Sequence, residues 1–508
     1  MKQFLLSFTL LFTTVACWCQ AGKVDRTFGN NGAVNTHFTK NAFLNAIAIQ
    51  PDQKIVAAGF AGDSIALTRY NTDGSLDNSF GVNGKVLTYP GNTAIAMSVT
   101  IQTDRKILAA GYNEFLVGTN QEEDLILIRY KTNGTIDSSF GSNGIVAANN
   151  DLEDFALAVA TQPDGKIIVA GGTDNYGPGN VLVQRYNING FLDNTFGNNG
   201  TVITGYDNGV SSYDVANRIA LQADGKIIIS GVSEDDLPGF PLHNILIRYN
   251  SNGSLDNSFG NGGKAPFLAI GTWAHSLNLQ QDGKILTAGF AYDKNYDNEG
   301  VIGRYNVNGT IDNTYGNNGL IYLKGIEHSY ASTILSAVIQ ADGKAIFGGV
   351  KNNTDLFFAR YNTIGVLDST YGKNGITDYV NPGLSAYEGD LVCELAKQSD
   401  GKIIAGSVCN HSFSLGRLLG DAGSIKYNPN YLSMRAYPNP ATSNLFIDGL
   451  DKTLPAVITI SDVAGNIMKV QKLVAGTTSV NVATLQHGRY VAVFTQNNKT
   501  GSVQFIKQ

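Results

Sequence analysis

The sequence has few charges and few prolines. Of its 508 residues, 15 % are charged and 12 are Pro, and 36 Lys and Arg against 42 Asp and Glu give a net charge of −6. Because positive charge is not in excess, the chain lacks the basic footprint that neutralises phosphates, and we expect no nucleic-acid partner. With 43 % hydrophobic residues it is not a disordered chain either.

Long apolar runs are also scarce, and the one at the start of the chain is short. Lys2 precedes FLLSFTLLFTTVA, a run too short to span a bilayer comfortably. We interpret residues 1–19 as a secretory signal peptide, because the small residues Cys17 and Cys19 suit a cleavage site beside Gln20. The alternative is a lipoprotein signal in which Cys17 carries the lipid. No later stretch is apolar enough to cross a membrane, so we expect no transmembrane segment in the mature chain.

Cysteine is rare. The chain has four, and cleavage of the signal peptide would leave Cys393 and Cys409. They flank the turn Ser399–Lys402, and a hairpin folded about that turn brings them nearly opposite each other. An exported protein can keep a disulfide there. Two small buried thiols are the equal alternative, because the geometry of a bridge between neighbouring strands is tight.

The usual signatures of catalysis are missing. The sequence has no GxSxG, no HExxH, no GxGxxG opening a helix, and no CxxC in the mature chain. The six histidines are scattered without the spacing of metal ligands: His37, His243, His275, His328, His411 and His487. We therefore predict no catalytic residues, no metal and no cofactor. Paired carboxylates for glycosidic chemistry stay open because Asp and Glu are plentiful, but nothing singles out a pair.

Glycine is abundant, at 58 residues, and it belongs to a repeat. One element is DxxF or DxxY followed by Gly, and its Asp residues are Asp25, Asp77, Asp137, Asp193, Asp256, Asp312 and Asp368. A second is Asp-x-Lys before an apolar run, at Asp52, Asp104, Asp164, Asp224, Asp282, Asp342 and Asp400. A third, Arg-Tyr, lies at Arg69, Arg129, Arg185, Arg248, Arg304 and Arg360, with Arg417 as a degenerate seventh. The period of 52 to 63 residues indicates an array rather than independent domains.

Each repeat contains four strand signals. In the first repeat NAIAIQ alternates, KIVAAGF is apolar nearly throughout, SIALTRYN follows, and a fourth strand lies within 75–89 in a layout that stays open. A short, continuous apolar run suits a strand covered on both faces. Four antiparallel strands per unit, each sheet covered by its neighbours, describe the blade of a β-propeller. The sequence therefore predicts an all-β fold with a seven-bladed β-propeller over residues 22–427.

The two ends of the array are incomplete in complementary ways. The array opens with a DxxFG element at 25–29 that no Asp-x-Lys or Arg-Tyr precedes. It ends with Asp400 and Arg417, which no DxxFG follows. We predict that the N-terminal strand completes the last blade and closes a ring without unpaired edges. An open solenoid, the alternative, would need polar capping repeats at both ends.

In six repeats an Arg precedes an Asp by eight residues across a tight turn, which brings the two side chains within reach of a salt bridge. The predicted structural ion pairs are Arg69–Asp77, Arg129–Asp137, Arg185–Asp193, Arg248–Asp256, Arg304–Asp312 and Arg360–Asp368. Bound calcium is the alternative, but a cation stands at the first ligand position of the loop. We interpret the aromatic residue of each DxxF or DxxY element as packing between blades.

One face of the ring is expected to carry the variable loops. The distance from Asp-x-Lys to Arg varies from 17 to 25 residues, whereas the distance from Arg to Asp is constant. Long loops therefore collect on the face away from the tight turns, where binding sites usually lie. Exposed aromatics beside carboxylates suit sugars or peptides. The candidate binding residues there are Tyr112, Phe115, Tyr176, Phe240, Trp273, His275, Tyr292, Tyr296 and Tyr330.

After Tyr427 the pattern changes. We interpret residues 428–435 as a linker, and the alternating strands of residues 436–508 indicate a small C-terminal antiparallel β-sandwich. The opening YPNPATSNLFI, the hairpin ISDVAGNIMK and the strand GRYVAV resemble the type A C-terminal sorting domain of type IX secretion. The resemblance implies passage through the periplasm and across the outer membrane by the type IX secretion machinery. It also implies that the tail is usually removed and that the body is released or anchored at the cell surface.

The repeats, for example PDGKIIVAGG and RYNSNGSLDNSFGNGGK, resemble the delta-60 repeat family, a resemblance that implies no activity or site for transfer. We therefore expect a secreted or cell-surface, non-catalytic binding or adhesion propeller whose ligand is an extracellular glycan or protein. A secreted carbohydrate-active hydrolase or lyase on the same scaffold is the first alternative. A structural surface-layer component is the second.

Overall fold

The computed structural model describes most of the chain from residue 21 onward. The described residues are 21–117, 120–147, 153–174, 179–206, 212–235, 242–267, 272–292, 298–323, 332–351, 355–379, 391–420, 435–462, 467–477, 479–497 and 499–508. They form two compact units, whose described parts are 21–420 and 435–508. Both units are built of β-strands, and the described ranges hold no helix that could cross a membrane.

The first unit contains 27 strands within the described residues. The first thirteen are β1 Ala33–Thr36, β2 Ala42–Ile49, β3 Ile55–Ala61, β4 Ser64–Tyr70, β5 Lys85–Thr88, β6 Thr93–Ile101, β7 Ile107–Val117, β8 Asn120–Tyr130, β9 Ile145–Ala147, β10 Glu153–Thr161, β11 Ile167–Asp174, β12 Asn180–Tyr186 and β13 Thr201–Thr204. The others are β14 Ser212–Leu221, β15 Ile227–Asp235, β16 Leu242–Tyr249, β17 Thr272–Leu279, β18 Ile285–Tyr292, β19 Asn298–Tyr305, β20 Leu320–Tyr322, β21 Ser332–Ile339, β22 Ala345–Lys351, β23 Asp355–Tyr361, β24 Ile376–Tyr379, β25 Leu391–Lys397, β26 Ile403–Cys409 and β27 Ser412–Leu418.

Each repeat folds into one antiparallel sheet, in the order β2-β3-β4-β5 for the first. The apolar second strand is covered on both faces, as its pattern predicts. Val56 packs into one hydrophobic cluster with Phe80, and its neighbour Ala57 packs into another with Phe413. Alternate side chains of one strand thus enter the cores on either side of the blade, which explains why an apolar residue stands at nearly every position.

The fourth strand, left open by the sequence, is short and begins after the DxxFG element. In the first blade it is β5, and the DxxFG residues before it form turns. In the fourth blade the corresponding pairing is a single bridge between Ile247 and Lys264, so that sheet has three regular strands. The feature that the repeats share is therefore the turn, and not the strand that follows it.

The sheets form a closed ring. Within the described residues there are seven of them, and their first strands contact one another in the cyclic order β2, β6, β10, β14, β17, β21, β25 and back to β2. The N-terminal strand β1 pairs with β27 of the last sheet, through Ala33↔Gly416 and Val34↔Leu415. The predicted propeller and its closure are confirmed, and the open solenoid is wrong.

The closure begins earlier in the chain than the sequence predicts. Gly22 has a φ of +87° and donates its N–H to the carbonyl of Leu419 at 2.8 Å. Ala21 accepts the N–H of Gly372 at 2.9 Å, as Ile364 accepts that of Gly316 one blade earlier. Ala21 and Gly22 therefore supply the second half of a turn whose first half ends the array. The positive φ at position 22 favours glycine. A Cβ added there would also lie 2.8 Å from the ring of Tyr371.

The last blade has a register that differs from the one predicted for the cysteines. β25 pairs with β26 through Val392↔Ser407 and Glu394↔Gly406, with an irregularity between them. The backbone of Cys393 therefore lies beside Ser407 and Gly406, and not opposite Cys409. The side chain of Cys393 is outside the described residues, so the disulfide stays a prediction.

The second unit contains two sheets with a shared core. Its strands are β28 Arg435–Tyr437, β29 Asn444–Asp448, β30 Ala456–Asp462, β31 Ile467–Leu473, β32 Ser479–Asn481, β33 Gly488–Gln496 and β34 Lys499–Lys507. The sheet orders are β28-β29-β32 and β31-β30-β33-β34. Leu445 and Val480 of the first sheet pack with Ile458 and Phe494 of the second. This is the small antiparallel sandwich expected for the tail.

Candidate functional site

The blade topology gives the ring two unlike faces. The connections from first to second strand and from third to fourth strand lie on one face, and they contain the repeated tight turns. The connections from second to third strand and from a fourth strand to the next blade lie on the other, which we name the variable-loop face. Four candidate residues of that face, Tyr176, Phe240, Tyr296 and Tyr330, are outside the described residues.

The repeated Arg, Asp and aromatic residues join neighbouring blades. In the second blade Arg129 Nε lies 2.9 Å from Asp137 Oδ2, and its guanidinium carbon lies 4.4 Å from the centre of the Phe140 ring. Arg129 Nη1 donates at 2.6 Å to the carbonyl of Ile188 in the third blade. Lys106 Nζ lies 3.1 Å from the same Asp137 oxygen. The cluster is a structural link, saturated by contacts within the protein.

The same arrangement recurs around the ring, where the Arg–Asp distances are 2.7 Å for Arg69–Asp77, 2.8 Å for Arg185–Asp193, 2.8 Å for Arg248–Asp256, 2.7 Å for Arg304–Asp312, 3.0 Å for Arg360–Asp368 and 2.8 Å for Arg417–Asp25. The last pair joins the two ends of the array. Burial alone would raise the pKa of Asp25, but hydrogen bonds from Thr27 and Lys402 and the charge of Arg417 outweigh it and lower the pKa to about 2. Within the described residues, no three acidic, Cys or His side chains form a group that could hold a metal ion.

Three of the predicted binding residues come together on the fifth blade. The ring of Trp273 stacks on that of His275, with centroids 5.5 Å apart. Phe290 lies between them and Tyr292, with its centroid 6.0 Å from Trp273 and 5.4 Å from Tyr292. Trp273 is near the start of β17 and Tyr292 ends β18, which places the cluster at the variable-loop face. Tyr292 is 44 % exposed and leaves an aromatic surface in contact with solvent.

Tyr112 and Phe115 lie on the second blade, three blades away. Tyr112 packs edge-on against Phe155 of the third blade, with centroids 6.5 Å apart, and Phe115 pairs in register with Glu122. Burial, followed by the charges of Asp154 and Glu122, raises the pKa of Asp124 to about 6. The predicted residues thus belong to two separate groups, one aromatic and one with clustered carboxyl groups.

The first strands surround the centre of the ring, and each of them contains a bulge at the same point. The residues directly after the bulge, which we name the channel ring, are Ala46, Ser98, Ala158, Arg218, Ser276, Ser336 and Glu394. Several of their side chains reach the next blade. Ser98 Oγ accepts the N–H of Val159 at 3.2 Å, and Glu394 Oε2 accepts the N–H of Ile47 at 2.9 Å.

Arg218 and Glu394 are the two charged members of the channel ring. Burial raises the pKa of Glu394, while the charge of Arg218 and the Ile47 N–H act in the opposite direction. Burial and the charge of Arg218 lower the pKa of His275 to about 4, so this imidazole is neutral at pH 7. Arg218 therefore lies within electrostatic range of the seventh blade and of the aromatic cluster.

Sequence reasoning missed Phe290, Arg218 and Glu394. Phe290 lies inside an apolar strand, where an aromatic residue is unremarkable. A signal for the other two did exist, since aligning the first strands of the repeats puts Arg and Glu at a position where the other five blades have Ala or Ser. The bulge that defines this position cannot be located from apolar periodicity alone.

Two family models match the chain. A beta-propeller domain of unknown function, DUF5122, matches residues 50–80, 102–140, 162–196, 222–259 and 280–315. The secretion system C-terminal sorting domain matches residues 435–508. Five segments of the array thus match these propeller repeats, and the tail is a type IX sorting domain. The tail directs the chain through the outer membrane to the cell surface or the extracellular space.

Solved structures resemble the chain at low identity. Virginiamycin B lyase from Staphylococcus aureus is 12 % identical with a TM-score of 0.46, over 76 % of this chain and 97 % of its own. The periplasmic gluconolactonase PpgL of Pseudomonas aeruginosa is 13 % identical with a TM-score of 0.43, over 84 % and 98 %. The polysaccharide lyase Uly1 is 12 % identical with a TM-score of 0.42, over 77 % and 91 %. No curated protein matches the chain in sequence.

Proposed function

We propose that this secreted propeller is a non-catalytic binding or adhesion module, and that its ligand, an extracellular glycan or protein, binds at the variable-loop face. The aromatic cluster of Trp273, His275, Phe290 and Tyr292 carries the proposal. Aromatic rings stacked at the end of a rigid sheet offer a preformed apolar surface with polar edges, which suits sugar rings and peptide side chains. The site lies on the face where loops vary between blades, while the other face repeats its structural turns.

The test is a glycan and peptide array probed with the full chain. We expect a ligand class that binds the unmodified chain and loses at least tenfold in affinity in the double variant Trp273→Ala, Tyr292→Ala. Phe191→Ala is the matched control, because Phe191 is 62 % exposed and follows a tight turn on the opposite face. Absence of any ligand on all probes would contradict the proposal and favour the structural surface-layer role.

A second candidate function is a carbohydrate-active hydrolase or lyase. Asp124 supports it, because a carboxyl group with a pKa of about 6 beside a second carboxylate is the pattern of a general acid in glycosidic chemistry. Turnover of a polysaccharide by the purified chain, abolished by Asp124→Asn, would establish this function. Unchanged turnover in the variant, or no turnover, would remove the support that Asp124 gives.

A further inference from the structure

We propose that the channel ring binds a carboxylate through Arg218, and that the ligand is an acidic saccharide containing uronic acid. The inference rests on the proposed binding function and names the ligand class. It starts from the composition of the channel ring, in which five small residues leave Arg218 and Glu394 as the charged side chains. The charged side chains of Arg218 and Glu394 stand at positions where the other five blades have Ala or Ser, so they are not part of the repeated structure.

The hydrogen bonds of Arg218 differ from those of the repeated arginines. Arg129 directs Nε, Nη1 and Nη2 to three protein partners. By contrast, the hydrogen bonding of Arg218 to the described residues consists of one bond, from Nη1 to the carbonyl of Asn217 at 2.9 Å. A guanidinium has five N–H donors in a planar fork, so most donors of Arg218 have no partner among the described residues and can serve a ligand. Its side chain is half-buried, which weakens the screening of its charge.

The geometry of the fork favours a carboxylate. Arg binds planar carboxylates with two parallel hydrogen bonds, and this arrangement is stronger than a contact with a point charge. Glu394 occupies the equivalent position after the bulge of its strand, and its negative charge disfavours a densely charged polyanion. Its Oε2 accepts the Ile47 N–H, and the described residues donate no hydrogen bond to Oε1, which can accept a ligand hydroxyl. One carboxylate together with hydroxyl groups is the chemistry of a uronic acid.

His275 connects the charge to the aromatic surface. It stacks on Trp273 and lies within range of Arg218, and being neutral at pH 7 it does not compete as a cation. A saccharide could therefore place a carboxylate at Arg218 while the adjoining sugar ring lies on Trp273 and Tyr292. The ligand thus extends from the channel to the variable-loop face.

The test is isothermal titration of the full chain with two probes, a trisaccharide of galacturonic acid and its methyl ester, which has the same sugar ring without the charge. We expect the acid to bind at least tenfold more tightly than the ester, and Arg218→Met to remove this difference. Arg218→Lys should retain part of it, because the charge stays and the fork is lost. Lys131→Met, which removes an exposed cation from a tight turn on the opposite face, should bind the acid as the unmodified chain does.

Each outcome decides the inference separately from the proposed function. Equal binding of acid and ester, both weakened by Trp273→Ala, would overturn the role of Arg218 and leave the binding function standing. Equal loss in Arg218→Met and Lys131→Met would also overturn it. A preference for a sulfated trisaccharide or an acidic peptide over the uronate would contradict the ligand class. Thermal unfolding of Arg218→Met and Arg218→Lys shows which of the two variants is folded. Only a folded variant is compared with the unmodified chain in the titration.

Discussion

At the scale of single residues, the repeated carboxylates are each held between two cations. Asp137 Oδ2 lies 2.9 Å from Arg129 Nε and 3.1 Å from Lys106 Nζ, and both Arg129 and Asp137 are buried. Removing one partner from a buried pair leaves a charge without compensation, which costs more than the pair contributes. The stability of the ring therefore depends on keeping these groups together.

Arg129→Met should lower the free energy of unfolding by about 3 kcal/mol, the lower end of the range for a broken buried pair, because Lys106 stays beside Asp137. Urea denaturation followed by fluorescence measures the change. The control is Lys40→Met, which removes the salt bridge from Lys40 to Asp63 at 2.8 Å. The side chains of this pair are 61 % and 57 % exposed. Exposed pairs contribute less than about 1 kcal/mol, so equal effects of the two substitutions would contradict the structural role of Arg129.

The same carboxylates predict loss of stability in acid. The pKa of Asp25 and of Asp368 is about 2 in the folded chain, because hydrogen bonds and neighbouring cations outweigh the effect of burial. A folded pKa below the unfolded value of about 4 gives stability that is complete above pH 4 and is lost as the pH falls towards 2. The thermal unfolding midpoint should therefore decrease between pH 4 and pH 2. A constant midpoint over this range would contradict the ion-pair geometry.

At the scale of strands, the bulge in each first strand brings its backbone close to the second strand. In the third blade a Cβ added at Gly171 would lie 1.8 Å from the carbonyl oxygen of Phe155. The corresponding residue of the seventh blade is Ser407, so the bulge of this blade accommodates a side chain at that position. Gly171, the first glycine of the AGG segment in the third repeat, thus allows the close approach of the two strands that positions the channel ring.

Gly171→Ala should destabilise the chain by about 1–3 kcal/mol, the usual cost of overpacking, because the nearest atom belongs to the backbone and cannot move away alone. Gly300→Ala in β19 is the matched control, since its nearest neighbour is a side-chain atom at 3.3 Å. Chemical denaturation of both variants measures the difference. If Gly171→Ala is no more destabilising than Gly300→Ala, the close approach described for the bulge is not maintained in solution.

Much of each blade could be predicted from its sequence, since short apolar runs such as KIVAAGF are characteristic of strands covered on both faces. The fourth strand could not, because it has only three or four residues and weak alternation. The role of Ala21 and Gly22 was missed because a turn divided between the two ends of the chain has no local motif. Trp273 and Tyr292 could be selected from the variable loops, but Arg218 and Glu394 belong to distant repeats and come within electrostatic range only in the folded ring.

At the scale of the whole molecule, the closure of the ring is the premise for every functional statement. It brings Glu394 of the seventh blade to Ile47 of the first, and it aligns the variable loops on one face. It also returns Arg417 to Asp25, at 2.8 Å, so the last structural link of the array spans both ends of the chain. An open array would have neither a channel ring nor a common binding face.

The most direct test is hydrogen–deuterium exchange of strand β1 in the full chain. β1 is the fourth strand of the last blade, so β5, the fourth strand of the first, is its internal standard. We predict that the amides of Ala33–Thr36 are protected to the same degree as those of Lys85–Thr88. Exchange of the β1 amides at the rate of an unstructured segment, with β5 protected, would contradict the closed propeller and the binding site built on it.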